Sequence, residues 1–285
     1  MYITPMEIIS FINHKGGVGK TTLCCQMAQG LAVIGQNVLC IDNDSQHSLT
    51  NRLGLSVGDV TIRDLYRGNY KDHMTFLQTA VRESTLPNLH NISSTLALVN
   101  GDVTDIEVLS DFLALPFIQE YYDFVLIDNH PGLDNLQRVA IAASSRLFIP
   151  VLLKQQSLEG LTEMISLLET YDINKGSIAI IPNIVENLKD QRIMREALQQ
   201  LFGNIVIDTP IPLDREIERV EREQKILFLD RLASSKSAPY FIKLLTDLFP
   251  GVATNRDAVA QTMRVERQKH RSALAKEHFK HTKRN

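Results

Sequence analysis

Residues 13–22 read N-H-K-G-G-V-G-K-T-T and follow directly on an apolar run, Ile8-Ile9-Ser10-Phe11-Ile12. A glycine-rich turn between a strand and a helix offers backbone N–H groups to anionic oxygens. The segment is therefore a phosphate-binding loop, and it commits the chain to a strand, a tight turn and a helix in that order. The general pattern, G-x-x-x-x-G-K-[ST], is met at Gly19-Lys20-Thr21 and missed at His14, where the first glycine should stand. Lys15-Gly16-Gly17 takes its place and puts a second lysine at the front of the loop. Lys20 can serve the phosphates of its own site, so Lys15 needs another explanation.

The rest of the chain repeats the strand-then-helix alternation. Apolar runs predict strands at Ile8–Ile12, Val38–Ile41, Phe124–Ile127, Leu147–Leu152, Ile178–Ile181 and Ile205–Ile207. Amphipathic stretches predict helices at Lys20–Ile34, Leu136–Ala143, Leu158–Tyr171, Gln191–Phe202, Arg215–Glu223 and Ala238–Leu248. Strands rich in Ile, Val and Leu on both faces imply a sheet covered on both sides. The β–α alternation makes that sheet mostly parallel. The expected fold class is α/β: a doubly wound, mostly parallel sheet with helices on both faces, a P-loop NTPase whose ligand binds at the carboxyl ends of the strands. Residues 54–115 are less regular, and short helices and one weak strand are expected there.

Each part of a nucleotide site then has a candidate. Lys20 supplies charge to the β and γ phosphates, and Thr21 supplies a hydroxyl for Mg²⁺. Gly17 and Gly19 keep the backbone close to the phosphates. Two predicted strands end in Asp, giving Asp42-Asn43-Asp44-Ser45-Gln46 and Asp123-Phe124-Val125-Leu126-Ile127-Asp128. An apolar strand ending in Asp is the Walker B arrangement, which places a carboxylate beside the metal. Asp128 is the choice for that role and Asp44 for polarising the attacking water, with Asp44 also counted in the metal shell. Asp42 is ambiguous, since an Asp in such a place can equally cap a helix or make a turn.

Composition narrows the setting. At 285 residues and 44% hydrophobic content, the chain can bury a large core. Cys24, Cys25 and Cys40 fit neither a disulfide framework nor a zinc site, and read as small buried hydrophobes in a reducing compartment. Met1 to Glu7 has no basic region followed by a long apolar stretch, so a cytoplasmic protein is expected. The net charge of −3 is unevenly spread: residues 255–285 hold nine Lys/Arg against three acids. The expected division is an ATPase domain over 1–254 and a basic tail over 255–285. An acidic body with a basic tail points to an anionic partner for the tail.

These motifs together resemble the ParA/MinD superfamily of deviant Walker A ATPases. Lys15-Gly16-Gly17-Val18-Gly19-Lys20-Thr21-Thr22 is similar to its deviant box, and Asp42-Asn43-Asp44-Ser45-Gln46 to its D-x-D-P-Q segment, with Ser45 for the usual proline. Tyr122 to Asp128 followed by Pro131-Gly132-Leu133 resembles its second carboxylate box, with His130 in place of the first proline. The likeness runs on through Pro150-Val151, Leu158-Glu159-Gly160-Leu161 and Ile211-Pro212, to about residue 250. It implies ATP and Mg²⁺ as cofactors, with residues 16–22 around the phosphates. It also implies that Lys15 crosses a homodimer interface to the partner subunit's ATP, so that hydrolysis takes the dimer apart. Asn183 and the loop Pro210-Ile211-Pro212 match the positions that recognise adenine.

ParA-like members hold nonspecific DNA through basic residues in two regions, here Lys189, Arg192 and Arg195, and Arg215, Arg219 and Arg222. The second set is interleaved with Glu216, Glu218, Glu221 and Glu223, which equally fits a solvated helix held by ion pairs. The tail, with Lys269 and Arg271, adds charge without a broad apolar stripe, which favours phosphate neutralisation over membrane anchoring. A tail that is simply solubilising and disordered is the bland alternative. The implied function is a ParA-like partition ATPase, nucleoid-associated, with a ParB-like or other cargo adaptor stimulating hydrolysis. A MinD-like membrane-positioning ATPase is the alternative, and a metal-cluster carrier is disfavoured because Cys24-Cys25 lies behind the phosphate loop.

Overall fold

In the computed structural model of the chain the described residues are 5–170, 177–186, 188–252 and 256–282, with the backbone alone described for 256 and 271–282. Seven strands form one sheet: β1 (Glu7–Phe11), β2 (Val38–Asn43), β3 (Val81–Glu83), β4 (Leu89–Ile92), β5 (Phe124–Asn129), β6 (Arg146–Leu152) and β7 (Ile178–Asn183). The helices are α1 (Lys20–Val33), α2 (Ser48–Arg52), α3 (Ile62–Tyr66), α4 (His73–Ala80), α5 (Val108–Leu113), α6 (Pro116–Tyr121), α7 (Asn135–Ala143), α8 (Gln155–Thr170), α9 (Lys189–Phe202), α10 (Arg215–Arg222), α11 (Leu227–Asp230), α12 (Ala238–Leu248) and α13 (Arg256–Thr282).

The strand order is β3-β4-β2-β5-β1-β6-β7, parallel throughout except for β3 against β4. Every residue of β2, β5 and β7 is buried, as expected of a sheet covered on both faces. Alternation sorts the side chains between those faces. Val38, Cys40, Phe124 and Leu126 pack with α1 and α10–α13. Leu39, Ile41, Val125 and Ile127 pack with α3–α7. A third cluster joins β6 and β7 to α8 and α9.

Helix α1 is buried nearly all round, so it is a central rod rather than a surface helix. It stops at a turn in which Gly35 N donates to Ala32 O and Gln36 N to Leu31 O. That pair of bonds needs a left-handed residue after the helix, and Gly35 has φ 98°. All three cysteines are free and buried.

Three sequence expectations differ. Ile205–Ile207 is not a strand of the sheet: residues Gly203–Ile205 form a 3₁₀ turn, and Val206 makes only an isolated bridge to Ile180. The apolar run is real, but it buries Val206 against the β7 cluster rather than extending the ladder. Residues 54–115 carry two short strands, β3 and β4, where one was expected. Both are short and mixed in polarity, which hides the period-2 signal. The basic C-terminal stretch forms a 27-residue helix, α13, and its first turns join the core through Val259 and Met263.

Candidate nucleotide-binding site

Strands β1, β2, β5 and β7 deliver their carboxyl ends to one edge of the sheet, and the phosphate loop leaves β1 in their midst. Asn13 sets the loop: its Nδ2 donates to Pro150 O at 2.9 Å, and its Oδ1 accepts from Lys15 N at 2.9 Å. Lys20 is 7% exposed, and its Nζ turns back to Asn13 O at 3.2 Å and Lys15 O at 3.4 Å. Burial lowers its pKa, and the charges of Asp128 and Asp44 oppose that shift, so both carboxylates act on this ammonium. No side chain caps the first turn of α1, which leaves its N–H groups for an anion.

Gly19 is the tightest point of the loop. Its φ is 90°, and a Cβ there would stand 2.3 Å from Asn183 Nδ2. Asn183 in turn donates from Nδ2 to Val18 O at 2.9 Å, tying the end of β7 to the loop. The next residue, Ile184, has φ 56°. A β-branched residue in that region is strained, and such strain concentrates at ligand clamps.

Asp42 and Asp128 occupy matching places on β2 and β5 and are both fully buried. Asp42 is held: Oδ2 accepts from Thr50 N at 2.8 Å and Thr50 Oγ1 at 2.7 Å, and Oδ1 from Asp44 N at 3.4 Å. Burial lifts its pKa to about 6 against the pull of those donors. It therefore anchors α2 and the Asp44 turn. Both Asp128 oxygens lack a hydrogen-bond partner. Burial first, then the Asp42 charge, pushes the Asp128 pKa up to about 8, while the Thr21 hydroxyl and Lys20 pull against the rise. A buried carboxylate so poorly served by donors is costly unless something else completes it. A hard divalent cation, which takes oxygen ligands, suits the place. Asp44 is half-buried, with Oδ1 accepting from Gln46 N at 3.0 Å.

Below these carboxylates lies a polar network that sequence reading did not find. Asn43 Nδ2 donates to Asn129 Oδ1 at 2.8 Å and to Leu136 O at 2.6 Å, and Tyr66 Oη donates to Asn43 Oδ1 at 2.9 Å. It fastens the ends of β2 and β5 to each other and to α3 and α7.

Beside the loop, a cavity of about 170 Å³ is lined by Gly19, Thr22, Asn183, Ile211 and Pro212 among others. The resemblance-based adenine residues thus share one cavity with the phosphate loop, except Pro210. Pro210 lines a second cavity of about 360 Å³ with Arg192, Arg195 and Tyr240, and Pro212 is common to both. Gly16 lies against Pro131 of the loop after β5, while Gly17 has φ 73° with open space around it and Val18 is buried. Asp214, Arg52 and Glu221 also line the first cavity, and their residue types carried no signal in sequence. The Lys15 side chain takes a different acceptor from Lys20: its Nζ bonds Gln156 O, at the start of its own α8.

The basic residues are spread out. Lys189, Arg215 and Arg222 are exposed. Arg195 donates to Asp208 O at 2.6 Å, and Arg192 is exposed on the same helix. Arg219 pairs with Glu223 at 3.0 Å and Glu216 at 3.7 Å, the ion-pair reading of that helix. Lys269 pairs with Glu266 at 2.6 Å, and the Arg271 side chain lies outside the described residues.

Comparison with known proteins bears on the family and the fold. The AAA domain family matches residues 6–180. The chromosome-partitioning ATPase Soj of Treponema pallidum is 32% identical, over 72% of this chain and 83% of its own length. The chromosome partitioning protein ParA of Caulobacter vibrioides is 26% identical, over 92% of this chain and 99% of its own. The structure of the septum site-determining protein MinD of Pyrococcus horikoshii with Mg-ADP superposes with a TM-score of 0.71 at 24% identity, covering 86% of this chain and 96% of that one.

Proposed function

The chain belongs to the AAA domain family, among ATPases of the ParA/MinD type, and from that premise we propose how its residues work. It is a ParA-like positioning ATPase that uses ATP and Mg²⁺. Lys20 and the first turn of α1 hold the β and γ phosphates. Thr21 and Asp128 hold Mg²⁺, with Asp44 close to the same shell. The metal, when bound, neutralises charge on the β and γ oxygens. Asp44 accepts from and orients the attacking water, and Asn183 with Ile211 and Pro212 receives the base. The observation that supports this reading most is Asp128, a fully buried carboxylate with no hydrogen bond of good geometry on either oxygen and the Thr21 hydroxyl beside it, acting with Asp44 on Lys20.

Lys15 is assigned to the partner subunit's ATP in a homodimer. A cation arriving from a second chain stabilises phosphoryl charge as an arginine finger does and couples nucleotide state to association. The dimer holds nonspecific DNA through Lys189, Arg192, Arg195, Arg215, Arg222 and the α13 charges, with Arg219 contributing once free of Glu223. An adaptor protein on the cargo, ParB-like or of another kind, stimulates hydrolysis. No helix of the described residues is long and apolar enough to cross a membrane, and nucleoid association follows from DNA binding. The test is co-sedimentation with DNA and with anionic vesicles, each with ATP and with ADP. ATP-dependent pelleting with DNA is expected. Pelleting with vesicles and not with DNA sinks the partition reading in favour of membrane positioning.

A further inference from the structure

Arg52 ends α2, and its guanidinium reaches two elements at once. Nη1 donates to Thr22 Oγ1 at 2.6 Å, on the first turn of α1, and pairs with Glu221 of α10. Its backbone origin is fixed, because Asp42 anchors α2 through Thr50, and Asn91 Nδ2 adds a bond to Thr50 Oγ1 at 3.2 Å. Both contacts use Nη1, so the remaining guanidinium N–H groups keep donors for a ligand oxygen. The side chain is 29% exposed, and what it faces is the cavity shared by Gly19, Thr22, Asn183 and Pro212.

The charge in that cavity is the wrong sign for its ligand. Asp214, Glu218 and Glu221 line it, and Arg52 is the one cation among the described lining residues. Asp214 is already satisfied by Ser235, Ser237 and the Glu216 N–H. Glu218 and Glu221 would repel an anion entering beside them. Thr22 stands in the same first turn of α1 as Lys20 and lines the cavity of Asn183 and Pro212, so a nucleotide with its terminal phosphates at Lys20 and its base in that cavity runs by it. The group that passes there is the phosphate nearest the base.

We propose that Arg52 is a nucleotide-binding residue whose guanidinium takes the α-phosphate, trading its hold on Glu221 for a phosphate oxygen. This rests on the nucleotide reading of the site. Planar bidentate recognition of phosphate is the task to which Arg is best fitted.

The competing explanation is that Arg52 only ties α2 to α10. Two variants separate the explanations, because R52M and E221Q both break the tie and only R52M removes the phosphate ligand. Calorimetric titration with Mg-ADP and Mg-ATP at one ionic strength is the measurement, with melting temperature in the absence of nucleotide as the check on folding. Both variants are expected to melt lower than the parent by similar amounts. R52M should bind ADP and ATP roughly ten- to hundredfold more weakly, by the same factor for both, since both carry the α-phosphate. E221Q should bind no more weakly than the parent, and R52K should recover part of the loss. The proposal is overturned if R52M binds both nucleotides as the parent does, if R52M and E221Q lose affinity together, or if R52M weakens ATP alone. A parent protein that binds neither nucleotide fails the underlying reading instead, and that result is seen before any variant is made.

Discussion

Asp42 and Asp128 face each other across the parallel β2–β5 ladder, one with three donors bonded to its carboxylate and the other with the Thr21 hydroxyl beside it but no hydrogen bond of good geometry. The same residue type at the same register therefore does two jobs. Asp42 builds the Asp44 turn and α2, while Asp128 is left with oxygens to give to a ligand.

That difference sets a pH dependence. The Asp128 pKa rises from 3.8 unfolded to about 8 folded, chiefly through burial. Between those values the folded chain binds more protons than the unfolded one, so stability without metal falls as pH rises from about 4 to about 8. Asp42, its pKa lifted to about 6, adds to the slope below that pH, so Asp128→Asn should remove the part between about pH 6 and 8 in EDTA, measured as denaturant midpoint against pH, and should abolish Mg²⁺-dependent nucleotide binding. A slope that survives between about pH 6 and 8 in the variant would assign it to other groups.

Lysine and aspartate variants should separate by step. Lys20→Ala loses nucleotide, and Asp44→Ala keeps ATP and accumulates as dimer, read by light scattering. Lys15→Ala binds ATP and fails to turn it over in the presence of DNA and adaptor. In the single chain Lys15 Nζ is bonded to Gln156 O, so its transfer to a partner must break that bond. Normal hydrolysis by Lys15→Ala with DNA and adaptor would refute the crossed-lysine role.

Gly19→Ala tests the clamp between loop and β7. The left-handed backbone alone costs an L-residue roughly 1–2 kcal/mol. The new Cβ also displaces Asn183 Nδ2 from 2.3 Å away. A lower melting temperature and weakened ADP binding are expected together. Unimpaired ADP binding would show that Asn183 need not stay where it is for the base to enter.

Truncations of α13 must be placed with its packing in mind. Removing residues 255–285 takes away Val259 and Met263, and Met263 is fully buried. Met263→Ala alone should cost about 2–5 kcal/mol. A cut after His270 spares that contact and still removes Arg271, Lys276, Lys280, Lys283 and Arg284. DNA binding by this shorter deletion should weaken, with a flatter dependence on salt. Unchanged affinity would move the DNA surface to Arg192, Arg195, Arg215 and Arg222.

What could be read from sequence follows a physical line. Fully buried parallel strands are continuous apolar runs, and β1, β2, β5, β6 and β7 were legible for that reason. Lys20, Thr21, Asp44 and Asp128 could be singled out because phosphate chemistry demands those types beside a strand end, and the fold brings them together. Val206 was misread because an apolar triplet does not say whether it pairs or merely packs. Asn43, Tyr66 and Arg52 were invisible because their roles depend on partners far along the chain, up to Glu221 for Arg52. Nor does composition tell a solubilising tail from a helix rooted by two apolar residues, as α13 is.

Helix α1 has one end at the phosphate site, and at the other Ala32 and Val33 border a groove shared with Thr262, Glu266 and Lys269 of α13. Its 14 residues span about 21 Å without a break. A rod gripped at both ends transmits tilt as a lever does. The residue that begins the phosphate-site helix and the first turns of the charged helix are thus set on one continuous element, so a change in the tilt of α1 would move both together.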